Sequence, residues 1–367
     1  MTIRKDPDAV RISRRELALG GLALLPGARL VGDRREPNME RQSEPITLTS
    51  VEGLQVGHHT RADRPTGCTV VVAAQGAVAG VAVRGAAPGS REIALLSPEN
   101  TVEQVHAVLL TGGSAFGLAA ADGVMRALRA RDIGFRMGRQ VVPIVPGAVL
   151  YDLGLGGDSY PDADDGAAAV AAASSAPPAE GSVGAGAGAT VGKMLAGGSM
   201  KGGIGTAGFR FANGTVVAAL VAVNCRGDVR EPRTGKLVAG ARGEDGRSLL
   251  DVEAALLAGG ADPAATPGAN TTIGVVATNL ALTKLQCSRL ASVAHDGLAR
   301  AIVPAHTRFD GDTLFALATG SAGPLAGGDH DRLEVAAAAA VAESILRAVR
   351  LATGLPGIPS AAELGGA

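Results

Sequence analysis

Short blocks of consecutive apolar residues alternate along this chain with stretches in which apolar positions recur every three or four residues. Strands and helices stacked in layers produce that pattern. The run "CTVVVAAQGAVAGVAVRG" reads as two short strands on either side of Gly76, a hairpin signal. "SPENTVEQVHAVLLTGGSAFGLAAADGVMRALRARDIG" predicts a capped turn, an apolar strand from about His106 to Leu110, a glycine turn and an amphipathic helix ending near Arg131. "QVVPIVPGAVLYDL" is apolar but interrupted by Pro143 and Pro146, so it reads as edge or loop. From Asp158 to Glu180 an acidic loop passes into an alanine helix, and a glycine-dense segment, "GSVGAGAGATVGKMLAGGSMKGGIGTAG", follows.

The second half repeats the grammar with stronger signals. "GTVVAALVAVN" is a buried strand ending at Asn224, and about 45 polar, glycine-containing residues with one helix, "SLLDVEAALLAG", separate it from the next strand, "TTIGVVATN". So long a connection is uncommon unless it is functional or mobile. "TKLQCSRLASVAHDGLARAI" is a helix with a capping box at Thr283 and Gln286. "FDGDTLFALATG" is a turn and strand, and a long terminal helix closes at Gly354. The whole reads as layered α/β.

The first 45 residues break the pattern. "RISRRELALGGLALLPGARLVG" pairs Arg14 with Arg15 ahead of an apolar run from Leu17 to Leu25, as a twin-arginine export signal does, and a polar linker leads to the folded part near Ile46. Export to the periplasm is the expectation, the alternative being a cytoplasmic protein that keeps a basic extension. No later segment has the length and apolarity to span a bilayer, so no membrane association is expected after export. A net charge of -1 and only eight aromatic residues argue against a nucleic-acid partner. Cys68, Cys225 and Cys287 are odd in number and lack metal-ligand spacing, and the histidines, among them His58, His59, His295 and His306, show none either. No metal and no cofactor are expected.

Several stretches invite a site and are weighed by their chemistry. "GAGATVGKM" fails as a phosphate loop, because Ala187 and Met194 stand where Gly and Ser or Thr belong, but it leaves Lys193 in a glycine bed where its ammonium could be partly desolvated. "TGGSAFG" approaches a nucleophile elbow at Ser114, with Phe116 in place of the second glycine. Asp310 and Asp312 in "FDGDT" suit a tight turn, or could orient an amine or hydroxyl. Thr271 and Thr272 open a buried strand, where an unpartnered hydroxyl is costly. A threonine hydroxyl becomes an effective nucleophile beside a base, and its own α-amine is one such base if the bond before it has been cut. If the strands ending at Asn224 and starting at Thr271 pair antiparallel, Asn224 lies beside Thr271 and its amide could serve an oxyanion.

These residues carry a resemblance. From about Leu48 to Gly320 the chain resembles the self-cleaving hydrolases that include L-aminopeptidase/D-esterases, β-peptidyl aminopeptidases and nylon-oligomer (6-aminohexanoate oligomer) hydrolases. The landmarks, in order, are "VGHHT", "TGCTVVV", "GAVAGVAVRGAAPGSRE", "LLTGGSAFGLAAADGVMR", "EGSVGAGAGATVGK", "MKGGIGTA", "NTTIGVVATN" and "FDGDT". The resemblance implies a four-layer αββα sandwich of N-terminal-nucleophile type, self-cleaved between Asn270 and Thr271 into an α chain, residues 46–270, and a β chain, residues 271–367. It implies Thr271 as nucleophile, matching the threonine of the nylon-oligomer branch where aminopeptidases have serine. Lys193 would keep the nucleophile's amine neutral, Asn224 would serve the oxyanion, Asp310 and Asp312 would position the nucleophile, and Tyr151 would line the substrate cleft. A glutamate that grips the substrate amine in aminopeptidase relatives has no counterpart in "PIVPGAVLYD".

The expected activity is hydrolysis of small linear amides, nylon-type oligomers or short peptide and β-peptide amides, by a homo-oligomer, a tetramer as in relatives. A non-catalytic oligomeric binding module of the same fold, a strict aminopeptidase/D-esterase and a Ser114-dependent esterase are the alternatives.

Overall fold

The computed structural model describes residues 45–195, 197–260 and 270–365. The stretch expected to be an export signal and most of the linker after it therefore lie outside the described residues, as does the segment 261–269 leading to Thr271. The principal strands and helices are β1 (Leu54–Thr60), β2 (Gly67–Val83), β3 (Gln104–Thr111), α1 (Ala120–Ala130), β4 (Gly147–Val149), α2 (Ala163–Ala171), β5 (Gly203–Arg210), β6 (Val216–Asn224), β7 (Thr271–Thr278), α3 (Lys284–Ala301), β8 (Thr313–Ala318) and α4 (His330–Arg350).

One mixed sheet connects the strands in the order β5-β6-β7-β8-β2-β3-β4, with a two-residue strand, Ser90–Arg91, beyond β4 and β1 paired to β2. The 17-residue β2 corrects the hairpin expected around Gly76. Its first half pairs with β1 and β3, its second half with β8 and β3, and the register slips between Val72 and Ala77. Gly76 sits there at φ +81, a conformation that costs glycine little, so the chain bulges and continues instead of reversing.

Side-chain alternation sorts the strands into layers. In β6, Val217, Ala219, Val221 and Val223 enter a core shared with α3 and α4, while Ala218, Leu220 and Ala222 face the other way. There they meet Val56 of β1, Val71 of β2 and Leu110 of β3 in a core between the two halves of the sheet. The outer faces of β2 and β3, through Val70, Val72 and Leu109, pack on α1 and α2. The result is helix, sheet, sheet, helix, the expected four layers, with β2 shared by both sheets. Helix α3 begins where the capping box was read: Thr283 Oγ1 accepts the Gln286 N–H and the Gln286 side chain accepts the Thr283 N–H.

The described part of the long connection after β6, up to residue 260, carries elements of its own. Asp228–Arg230 pairs with Leu237–Ala239 and with Ile302–Val303, and a short helix, Val252–Leu257, follows. Buried Asp228 accepts the N–H groups of Ala241 (3.0 Å) and Val252 (2.8 Å), and so pins this segment to the body. Burial pushes its pKa up to about 6. Three-residue strands separated by glycine and charge carry too little periodicity to be read from sequence. Among the described residues no helix is long and apolar enough to cross a membrane.

Candidate active site

The antiparallel register of β6 and β7 runs from Val217 opposite Thr278 to Asn224 opposite Thr271. The last residue of one strand thus faces the first of the other, as the pattern predicts, and Thr271 and Asn224 are both buried. On its other side β7 runs parallel to β8, with Ile273 beside Thr313, so the turn Asp310–Gly311–Asp312 arrives next to the start of β7. Parallel strands start at the same end of a sheet, which is why a turn 40 residues further along the chain reaches the same spot.

Thr271 lies against the peptide bond that precedes it. Its Oγ1 donates to the Asn270 carbonyl oxygen at 2.5 Å, and the Gly311 N–H donates to that same oxygen at 2.9 Å. Gly311 has to be glycine: a Cβ there would stand 2.9 Å from Thr271 Oγ1 and 2.7 Å from the Ala87 carbonyl oxygen. The Asp312 carboxylate accepts the Thr272 N–H at 2.7 Å through Oδ1. Asp310 Oδ2 accepts the Thr307 N–H at 2.7 Å, while its Oδ1, the Asn270 side-chain oxygen and Thr272 Oγ1 are buried with no partner among the described residues. Burial and the adjacent Asp312 charge push the Asp310 pKa up to about 6.

On the β6 side, Lys193 Nζ donates to Asn224 Oδ1 at 2.6 Å and to the Asn224 carbonyl at 3.1 Å. Its ammonium lies inside the protein although the residue as a whole is only half-buried, and desolvation pulls its pKa down to about 7 against the opposing pull of nearby acidic groups. Asn224 Oδ1 also accepts the Thr190 N–H at 3.0 Å, and Nδ2 donates to the Tyr151 carbonyl at 3.0 Å. Both ends of the amide are thereby fixed and its flip is set by the network. Tyr151 meets this network through its main chain.

Four contributors escaped the sequence reading. Asp152, next to Tyr151, is buried and receives Arg64 (2.9 Å), Thr66 Oγ1 (2.7 Å) and the Gly113 N–H (2.9 Å). Lys201, fully buried, donates to the carbonyls of Gly186, Ala189 and Gly202 and so fixes the glycine-rich segment that leads to Lys193. The Arg226 guanidinium lies 4.7 Å from the Phe309 ring centroid, beside the acidic turn. His306 bonds Asp312. The only prior signal was that Lys201 falls in the landmark "MKGGIGTA"; the others become neighbours of the site only through the fold.

Ser114 is not built as a nucleophile. It sits at φ +53 opening a short 3-10 turn, its N–H bonds the Leu150 carbonyl, and no base is bonded to its hydroxyl among the described residues. A groove of about 500 Å³ between α1 and Val141–Pro143 shares no residue with the Thr271 cluster and gathers no comparable set of buried polar groups.

Two facing layers of sheet between helix layers, with a buried polar cluster at the start of β7, give the layered architecture of the Ntn-hydrolase fold. The chain belongs to Peptidase family S58, whose description fits residues 47–361. It is 45% identical over 325 residues to an uncharacterized aminopeptidase of Mycobacterium tuberculosis, covering 83% of this chain and 92% of that one. It is 31% identical over 315 residues to a 6-aminohexanoate-oligomer endohydrolase of Paenarthrobacter ureafaciens, covering 82% and 85%. Among solved structures it superimposes on a Burkholderia sp. beta-aminopeptidase with a TM-score of 0.64 at 26% identity, covering 88% and 93%. The L-aminopeptidase D-Ala-esterase/amidase of Ochrobactrum anthropi, described as a variant of the Ntn-hydrolase fold, matches in fold with a TM-score of 0.65 at 21% identity, covering 88% and 94%. The protein is a hydrolase of amide or peptide bonds.

Proposed function

We propose that the protein processes itself between Asn270 and Thr271 and then hydrolyses small linear amides with Thr271 as its nucleophile. The observation that carries this reading is the pair of contacts on the Asn270 carbonyl oxygen: the Thr271 hydroxyl at 2.5 Å and the Gly311 N–H at 2.9 Å. The hydroxyl lies against the group it would attack, and a donor already holds the oxygen on which negative charge would develop.

In the first step Thr271 Oγ gives its proton to a neighbouring base and bonds to the Asn270 carbonyl carbon. Asp310 suits that role, with a pKa near 6, an oxygen that has no partner among the described residues and a strand-like bridge to Asn270. The C–N bond then breaks, the nitrogen takes up a proton, and an ester joins Asn270 to Thr271. Water hydrolyses the ester, leaving a carboxylate on Asn270 and a free α-amine on Thr271. In turnover that amine accepts the hydroxyl proton as Oγ attacks the substrate carbonyl, and passes it to the departing amine; water then releases the acyl group. Lys193, bonded through Nζ to Asn224 and carrying positive charge below its pKa of about 7, would disfavour protonation of the α-amine, and the Asn224 amide would serve the oxyanion.

Kinship with both an aminopeptidase and a 6-aminohexanoate-oligomer endohydrolase supports short linear amides. The absence of a glutamate in "PIVPGAVLYD" favours those whose binding does not require gripping a free amine. The test is denaturing electrophoresis with N-terminal sequencing. Wild type should yield a fragment starting at Thr271, Thr271→Ala should stay whole and inactive, and an active preparation consisting of one unbroken chain would refute the reading.

A further inference from the structure

Asp312 is held from two directions. Oδ1 takes the Thr272 N–H, and Oδ2 takes both the backbone N–H of His306 at 3.2 Å and its imidazole Nδ1 at 2.8 Å. The Nδ1 position therefore carries a hydrogen and donates to the carboxylate. His306 holds φ at +57, in the left-handed region, where a residue with a side chain is uncommon. Such a backbone persists where its surroundings impose it, and here it lets two donors of one residue close on a single oxygen. The imidazole packs edge-on against His295 of α3, with ring centroids 4.9 Å apart. His295 bonds the Ala82 carbonyl at 3.0 Å and burial pulls its pKa down to about 4, so it supports its neighbour as a neutral ring.

We propose that His306 is a positioning residue for the nucleophile. By fixing Asp312 it fixes the Thr272 N–H, and with it the first peptide unit of the strand that carries Thr271. The inference rests on the reading of Thr271 as nucleophile. Scission would remove the covalent anchor at Asn270 and turn Thr271 into a chain end, and chain ends fray unless tied down. The bond from Thr272 to Asp312 is the next tie along the chain, and a nucleophile allowed to drift loses the near-attack geometry on which rate depends.

The test uses the full chain as its own substrate. His306→Gly suits the left-handed backbone and deletes the ring, while His306→Asn tolerates that backbone and restores a side-chain N–H donor. The rate at which the fragment starting at Thr271 appears should fall about 10- to 100-fold in His306→Gly, the range for removing a partner that orients a reacting group, with the thermal midpoint retained. It should recover substantially in His306→Asn. Equal rates in wild type and His306→Gly, or a slow rate that His306→Asn leaves slow, overturn the role of His306; Thr271→Ala remaining whole in the same experiment leaves the nucleophile reading standing. Scission after Asn270 in Thr271→Ala overturns both.

Discussion

At the scale of single residues, the site depends on how closely small groups approach Thr271. A Cβ at residue 311 would press on both the Thr271 hydroxyl and the Ala87 carbonyl. Gly311→Ala should therefore slow scission severalfold or more while leaving the protein folded, a result read by time-resolved electrophoresis beside a thermal melt. Thr271→Ser keeps the hydroxyl and should still process. The pH dependence follows from two shifted groups. Asp310 holds its proton up to about 6 and Lys193 releases its own near 7, so with an ionised Asp310 as base the rate of scission should climb as pH rises through about 6. Asp310→Asn should abolish that limb, and a processing rate independent of pH between 5 and 7 would remove Asp310 from the role of base. Thr271, Asn224, Asp310 and Asp312 could be singled out in the sequence because each ends or begins a recognisable strand or turn. His306, Asp152 and Arg226 could not, because a lone polar residue in a loop carries no periodicity that says where it points.

At the scale of elements, the strong patterns became the strands and helices expected of them, and the weak ones did not. Strands β6 and β7 are continuous runs of small and branched apolar residues, and their antiparallel pairing aligns Asn224 with Thr271. The bulge at Gly76 went unread because a left-handed glycine between two apolar runs serves a hairpin or a kinked strand equally well. The partner available to β2 decides: β3 pairs along it on both sides of the slip. The alanine- and glycine-rich composition shows its use where α3 meets α4. A Cβ on Gly297 would fall 1.9 Å from the Ala338 carbonyl oxygen, so the two helices touch backbone to backbone. Gly297→Ala should push them apart and cost about 1–3 kcal/mol, as overpacked cores do. The check is a chemical-denaturation midpoint below wild type, with the β1–α1 half of the protein unaffected in its spectroscopic signature.

At the scale of the whole molecule, buried cations make stability depend on pH. Lys201 is enclosed by three carbonyl groups, and desolvation pulls its pKa from 10.5 down to about 7. Between about 7 and 10.5 the unfolded chain keeps this proton and the folded protein has released it, so this group makes stability rise with pH across that window. The thermal midpoint of wild type should gain relative to that of Lys201→Met between pH 7 and 9, and parallel curves for the two proteins would contradict this. The sequence by itself determined the alternation of strands and helices, the layered class, and the placement of Thr271 and Asn224 at strand ends, because hydrophobic periodicity and strand termini are local properties of the chain. Only the tertiary structure decided that β2 spans both sheets, that Asp310–Gly311–Asp312 lies beside the Asn270 carbonyl, and that His306, Lys201 and Asp152 surround the site. Those contacts join residues tens to more than a hundred positions apart or turn on the conformation of a single loop. Their geometry is fixed by packing, burial and hydrogen-bond satisfaction across the assembled layers.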